Sequence, residues 1–392
     1  MRTFLQLRWL GRERVIAYSA ILALVSLVSL YGLFLQAMGP QGSDFQAFWS
    51  AGRMTVAGHT AAAYDAAALG AVQAEVGRHD VFAFVNPPPL LLALWPLGLL
   101  EYPHAWIAWV AATYALWFLA TRRLYPELSW PIAAFPGALV AAWHAQTGFL
   151  TSAIQAFAAG ALRERPFWAG LWVGALIVKP HLAVLFPVAL LAGRQWRAIA
   201  GAATSSIGLL LLAWLVFGTD TMLAYPRSWA VSDHLLRTGN DAFFLRQATV
   251  YAMVRVAFSS HAAIAVQTLA SLAMVAATWL AWARPGPLEG KLALLFAATP
   301  LATPYLFNYD LPFLVIPVCW LVRSLEPESL AGWSRPILLA LYLSPLVTRA
   351  MALPLGINPM PLVSLVLVGL VWRSLKVTAD LGGVRRAPAA GT

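Results

Sequence analysis

The chain has 392 residues, of which 60% are hydrophobic and 11% charged. Soluble domains carry about 25% charged residues, so so few charges cannot clothe a water-facing surface of this size. The net charge of +10 does not indicate nucleic acid, because the basic residues form no stripe. They come in small groups between apolar runs: Arg8, Arg12 and Arg14; Arg194 and Arg197; Arg323 and Arg335; Arg373, Lys376, Arg385 and Arg386. That is the distribution of cytoplasmic loops under the positive-inside rule. Composition therefore predicts an all-α polytopic membrane protein. The single cysteine, Cys319, cannot form an internal disulfide and reads as a buried structural thiol.

The basic N-terminus runs into the apolar stretch Val15–Met38. A cleaved signal peptide has an apolar region of about 7–15 residues and a small-residue cleavage site. This stretch is longer and lacks an obvious site, so it reads as a retained first span with a cytoplasmic N-terminus. Residues 41–84 are comparatively polar and would lie outside, with amphipathic helices expected over Phe45–Val56 and Ala61–Val76. Further apolar spans are predicted at 86–100, 104–121, 130–145, 148–163, 167–192, 198–217, 262–283, 291–305, 311–323, 336–353 and 358–372. Together they make about 10–12 crossings. Pro87, Pro88, Pro89, Pro131, Pro136 and Pro180 interrupt several of them. Irregular backbone at membrane depth is tolerated only where protein or a water-filled cavity covers it, so the interruptions point to a cavity. A second polar segment, 219–258, carries Arg227, Arg237 and Arg246 and is also placed outside. The expected organisation is one transmembrane domain over 1–375, followed by a disordered cytoplasmic tail, 376–392, rich in Gly, Ala, Pro and Arg.

Few residues in this apolar background can carry chemistry. Asp44 lies just beyond the first span and is followed by aromatics, a setting for a general base in a partly desolvated site. Its competing role is to cap the helix that begins at Phe45. Lys179 stands in an apolar run, where a charge is costly unless it meets a cavity or a partner. It is a candidate phosphate ligand, and His181 either shares its site or is a core histidine. Asp310, in Asn308-Tyr309-Asp310, is a candidate to orient a sugar hydroxyl, to pair with Lys179 or an arginine, or to cap the helix that contains Pro312. Asn86, Tyr64-Asp65 and the His144-Ala145-Gln146-Thr147-Gly148 break are lesser candidates. No Walker A sequence, dinucleotide fingerprint, His-Glu-x-x-His or Asp-x-Asp occurs, so no nucleotide-sugar donor, metal or other cofactor is expected.

These residues, in their order, resemble glycosyltransferase family 87. The resemblance runs from Asp44-Phe45-Gln46-Ala47-Phe48-Trp49-Ser50-Ala51-Gly52, through Gly58 and Tyr64-Asp65, to Phe84-Val85-Asn86-Pro87-Pro88-Pro89. It continues through Gln146-Thr147-Gly148-Phe149-Leu150, Ala169-Gly170 and Lys179-Pro180-His181, and ends at Thr303-Pro304-Tyr305-Leu306-Phe307-Asn308-Tyr309-Asp310-Leu311. The resemblance implies a GT-C-type fold in the cytoplasmic (inner) membrane. It implies an enzyme that moves a hexose, often mannose, from a polyprenyl-phosphate carrier to a hydroxyl of a glycolipid or glycan on the outer face. Asp44 then matches the family's catalytic acid. Lys179, with Arg246, would face the donor phosphate. Tyr64, Asp65, Asn86, His144, Gln146, His181, Tyr305, Asn308, Tyr309 and Asp310 would line the sugar and acceptor sites. The competing reading is a transporter or flippase, which would also place Lys179 and Asp310 at a cavity. Such proteins often carry structural repeats, and none is visible in this chain.

Overall fold

The computed structural model describes residues 6–7, 9–40, 42–77, 81–324 and 334–384. Arg8, Arg78, His79, Asp80, Arg385 and Arg386 lie outside these residues. Among the described residues there are 19 α-helices joined by 3-10 turns. No strand is present among them; one isolated antiparallel bridge links Gln247 and Phe307. The protein is an all-α polytopic membrane protein.

Four helices are long and apolar enough to cross a bilayer: Arg12–Met38, Trp196–Ala224, Ser260–Ala283 and Ser334–Leu355. Several other expected crossings are shorter apolar pieces, including Pro88–Leu99, Gly148–Ala161, Pro166–Val178 and Pro180–Ala192. Proline explains the fragmentation. The expected span 167–192 breaks at Lys179, which takes φ −153° and ψ 72° between two 3-10 turns. A residue before proline is driven out of the helical region, and Pro180 imposes that here. The expected span 86–100 is likewise a series of short turns over Pro88, Pro89 and Pro96. The final helix, Met360–Val384, continues beyond Lys376, where a disordered tail was expected. Residues 385–392 of that tail lie outside the described residues.

The helix Phe45–Val56 has the expected bounds but does not lie on a surface. Phe45 through Gly52 are all buried. Its aromatic rings are gripped from both sides. Phe45 and Trp49 pack on Tyr102, and Phe48 packs on Phe84 and Trp109. The Trp49 indole N–H donates to the Leu100 carbonyl at 2.9 Å. The second expected helix begins only at Ala66, because Asp65 caps it by accepting from the Ala68 N–H at 2.9 Å.

Small residues set the closest helix pairing. A Cβ on Gly170 or Gly174 would strike the backbone of Ala198 or Ala202 on the neighbouring helix Trp196–Ala224. This is the membrane strategy of replacing side chains with backbone contact. Helix Tyr102–Leu124 links the two ends of the fold. Its 23 residues rise roughly 35 Å, comparable with the hydrocarbon thickness. At its start, Tyr102 reaches Ser43, next to Asp44. At its end are Arg122 and Arg123, and the Leu124 carbonyl accepts from Arg323. Two ion pairs tie this second end together: Arg163 with Glu289 at 2.7 Å and Arg323 with Glu127 at 3.2 Å.

Candidate active site

A cavity of about 310 Å³ opens beside Tyr102, at the first of these ends. Several segments converge on it. The residue before helix Phe45–Val56 brings Asp44, and the end of helix Pro136–His144 brings His144. The segment 303–309 brings Tyr305, Phe307, Asn308 and Tyr309. The turn after Asp241–Leu245 brings Arg246, and helix Ser334–Leu355 brings Arg349. Extended residues around Phe82 form a further wall. The Gln73 side chain holds that wall as a strand would: its amide donates to the Phe82 carbonyl and accepts from the Phe82 N–H, each at 2.9 Å.

Asp44 is the only carboxylate lining this cavity among the described residues. It precedes its helix, yet its side chain makes no capping bond. Instead its Oδ2 lies 3.0 Å from Nδ1 of His144, 100 residues further along the chain. A carboxylate only accepts, so Nδ1 carries the proton in this bond. The imidazole is packed against Trp143 and Tyr309, each with ring centroids 5.1 Å away, which holds its plane. The turn that follows is tight. Ala145 adopts φ +46°, a left-handed conformation that L-residues other than glycine rarely take. Gly148 then lets the next helix touch the opposite segment: a Cβ there would sit 1.9 Å from the Tyr309 carbonyl. Gln146, between them, also lines the cavity.

Lys179 and Asp310 occupy a different place. Neither lines the cavity. Lys179 Nζ donates to Asp310 Oδ1 at 2.5 Å, and both side chains are buried. The ammonium also lies 5.0 Å from the Tyr309 ring centroid, so the pair sits directly behind that wall of the cavity. Asp310 has two roles at once, since its Oδ2 accepts from the Phe307 N–H at 3.3 Å and caps the 3-10 helix Asn308–Leu314. The pairing anticipated between these residues is therefore present. In this arrangement the Lys179 charge is met by Asp310.

The lesser candidates divide in the same way. Tyr305, Asn308 and Tyr309 line the cavity. Burial first, then the Asp310 and Asp44 carboxylates, raise the Tyr305 hydroxyl above its ordinary range. Burial and then Asp44 do the same to Tyr309, so both phenols remain neutral donors. The Asn308 amide oxygen accepts from Asn358, while its Nδ2 is buried without a partner. Tyr64, Asp65, Asn86 and His181 do not line the cavity. Tyr64 donates to the Asn86 carbonyl at 3.0 Å and so ties two connecting segments together. Asp65 is spent on its cap. His181 is held edge-on against Tyr305, one layer behind the wall.

Three contributors escaped the sequence reading. Phe307 stacks on Tyr309 at 5.0 Å; it stands inside the motif 303–311 but was not singled out there. Asn358 donates to the carbonyls of Leu245 and Gln247 and to Asn308, pinning the turn that carries Arg246. Arg349 had a usable signal: it is a lone arginine inside an apolar run, the same criterion that marks Lys179.

A family model described as glycosyltransferase family 87 matches residues 84–304, more than half of the chain. No curated protein and no solved structure matches. The matched region contains His144, Lys179 and Arg246. The chain belongs to glycosyltransferase family 87 and is a membrane glycosyltransferase.

Proposed function

We propose that this enzyme transfers a hexose, mannose by family resemblance, from a polyprenyl-phosphate carrier to an acceptor hydroxyl, with inversion and without a metal. The observation that carries the reading is the lone cavity carboxylate: Asp44, held by His144 in a wall of aromatic and amide groups. In this mechanism Asp44 accepts the acceptor hydroxyl's proton as its oxygen attacks the anomeric carbon. The bond from that carbon to the donor phosphate oxygen breaks, and its electron pair stays on the phosphate. General-base assistance of this kind contributes roughly 10²–10⁴-fold. His144 is a positioning residue that keeps the Asp44 oxygens aimed into the cavity. Arg246 faces the departing phosphate, and the unpaired Asn308 amide is a donor for a sugar hydroxyl.

The cavity's position supports an outward-facing reaction in the cytoplasmic membrane. It lies at the Tyr102 end of helix Tyr102–Leu124, while Arg122, Arg123, Arg163 and Arg323 gather at the other end. Under the positive-inside rule the basic end is cytoplasmic. Donor and glycolipid or glycan acceptor then meet at the outer membrane boundary.

The test is transfer by the purified protein in nanodiscs, supplied with a polyprenyl-phosphate hexose and an acceptor. Acceptor-dependent release of polyprenyl phosphate that disappears in Asp44→Asn supports the proposal. Undiminished turnover in that variant removes Asp44 as the base, and substrate translocation without sugar transfer favours a transporter.

A further inference from the structure

Arg349 is buried in the helix Ser334–Leu355, one of the four long apolar spans. No carboxylate lies within ion-pair distance of it among the described residues. Its guanidinium instead lies 5.2 Å from the Trp143 ring centroid, on the residue next to His144. A buried, unpaired cation is costly to the fold, and within a membrane span it marks a functional position by default.

The electrostatics of the cavity make the cost larger and give it a direction. Arg349 shares its surroundings with Arg246, a like charge, and with Asp44, an opposite one. All three line the same cavity. Asp44 already has His144 as a partner. Two guanidiniums therefore face the cavity against one engaged carboxylate, which leaves an excess of positive charge that an anion would relieve. Lys179 adds nothing to this excess, because Asp310 neutralises it. Guanidinium groups suit phosphate oxygens through their paired N–H donors.

We infer that Arg349, with Arg246, holds the phosphate of the substrate and discriminates in favour of its more highly charged form. The inference rests on the proposed polyprenyl-phosphate reaction. In that reaction the donor phosphodiester carries one negative charge. When the bond to the anomeric carbon breaks, the phosphate gains a second. A pair of cations that is only partly satisfied by the donor is better satisfied by the departing phosphate. Such a difference in binding lowers the barrier rather than tightening the ground state alone. Trp143 holds the Arg349 guanidinium close to the catalytic pair without neutralising it.

The test measures binding of undecaprenyl phosphate and of undecaprenol to the full chain in nanodiscs, for the wild type, Arg349→Met, Arg349→Lys and Lys179→Met. The wild type is expected to prefer the phosphate. Arg349→Met is expected to lose at least tenfold of that preference, with little change in affinity for the alcohol. Arg349→Lys should recover part of it. The thermal midpoint of Arg349→Met should be unchanged or raised, because a buried unpaired charge has been removed. A full preference in well-folded Arg349→Met overturns this inference alone, as does a preference lost in Lys179→Met but kept in Arg349→Met. A wild type that does not prefer the phosphate overturns the donor reading and this inference together.

Discussion

Two charged pairs stand close together in this protein and differ in what surrounds them. Asp44 and His144 keep 28% and 16% of their side chains exposed, while Asp310 and Lys179 keep 0% and 6%. Both pairs join distant parts of the chain, and Tyr309 touches each: its ring packs on His144 and under the Lys179 ammonium. The exposed pair faces a cavity and leaves carboxylate lone pairs for a substrate. The enclosed pair spends its capacity internally, on each other and on the Phe307 N–H. Burial thus separates a carboxylate available for proton transfer from one that fixes the wall behind it.

The comparison is sharpest at Asp44. Asp44→Asn keeps the size and most of the packing but removes the base. Transfer should fall about 10²–10⁴-fold, with little change in thermal stability in detergent. A large drop in stability would make Asp44 structural and erase the distinction between the pairs.

The enclosed pair should respond in the opposite sense. Lys179→Met or Asp310→Asn strands a buried partner and should cost about 3–5 kcal/mol. The double variant Lys179→Met with Asp310→Asn should lose less than the two single losses combined, since no charge is left unpaired. Denaturation of the purified variants reads this directly. Additive losses in the double variant would mean that the two residues do not act as a pair.

Gly148→Ala probes the wall that the pairs share. Its methyl group would overlap the Tyr309 carbonyl, and relieving that overlap should cost about 1–3 kcal/mol. Transfer should fall with it, because Tyr309 packs against His144. Full activity in a stable Gly148→Ala protein would separate the wall from the catalytic geometry. The smallest effect is expected at Asp65→Ala, which removes an exposed helix cap worth roughly 1 kcal/mol. A loss of transfer beyond what that instability explains would return Asp65 to the site.

Much of this arrangement was legible in the sequence wherever a rule is local. Charge scarcity and long apolar runs dictate a membrane protein. Pro180 dictates the break at Lys179, because it restricts the residue before it. The helix Phe45–Val56 was bounded correctly by the residues that begin and end it. Its environment was not, because whether an aromatic helix lies on a bilayer or inside a protein depends on what packs over it. Here Tyr102, Phe84 and Trp109 do.

The order of motifs also placed the chain in its family, and a family match over residues 84–304 bears that out. What the sequence alone could not decide was the partner of each charge. A lysine in an apolar run needs either a ligand or a counter-ion, and both satisfy the same local rule. Only the fold brings Asp310, 131 residues away, within reach of Lys179. The same folding leaves Arg349 beside Trp143 and the cavity, with no carboxylate within ion-pair distance among the described residues. Helix starts and breaks follow from neighbours in the chain, whereas the fate of a buried charge follows from neighbours in space.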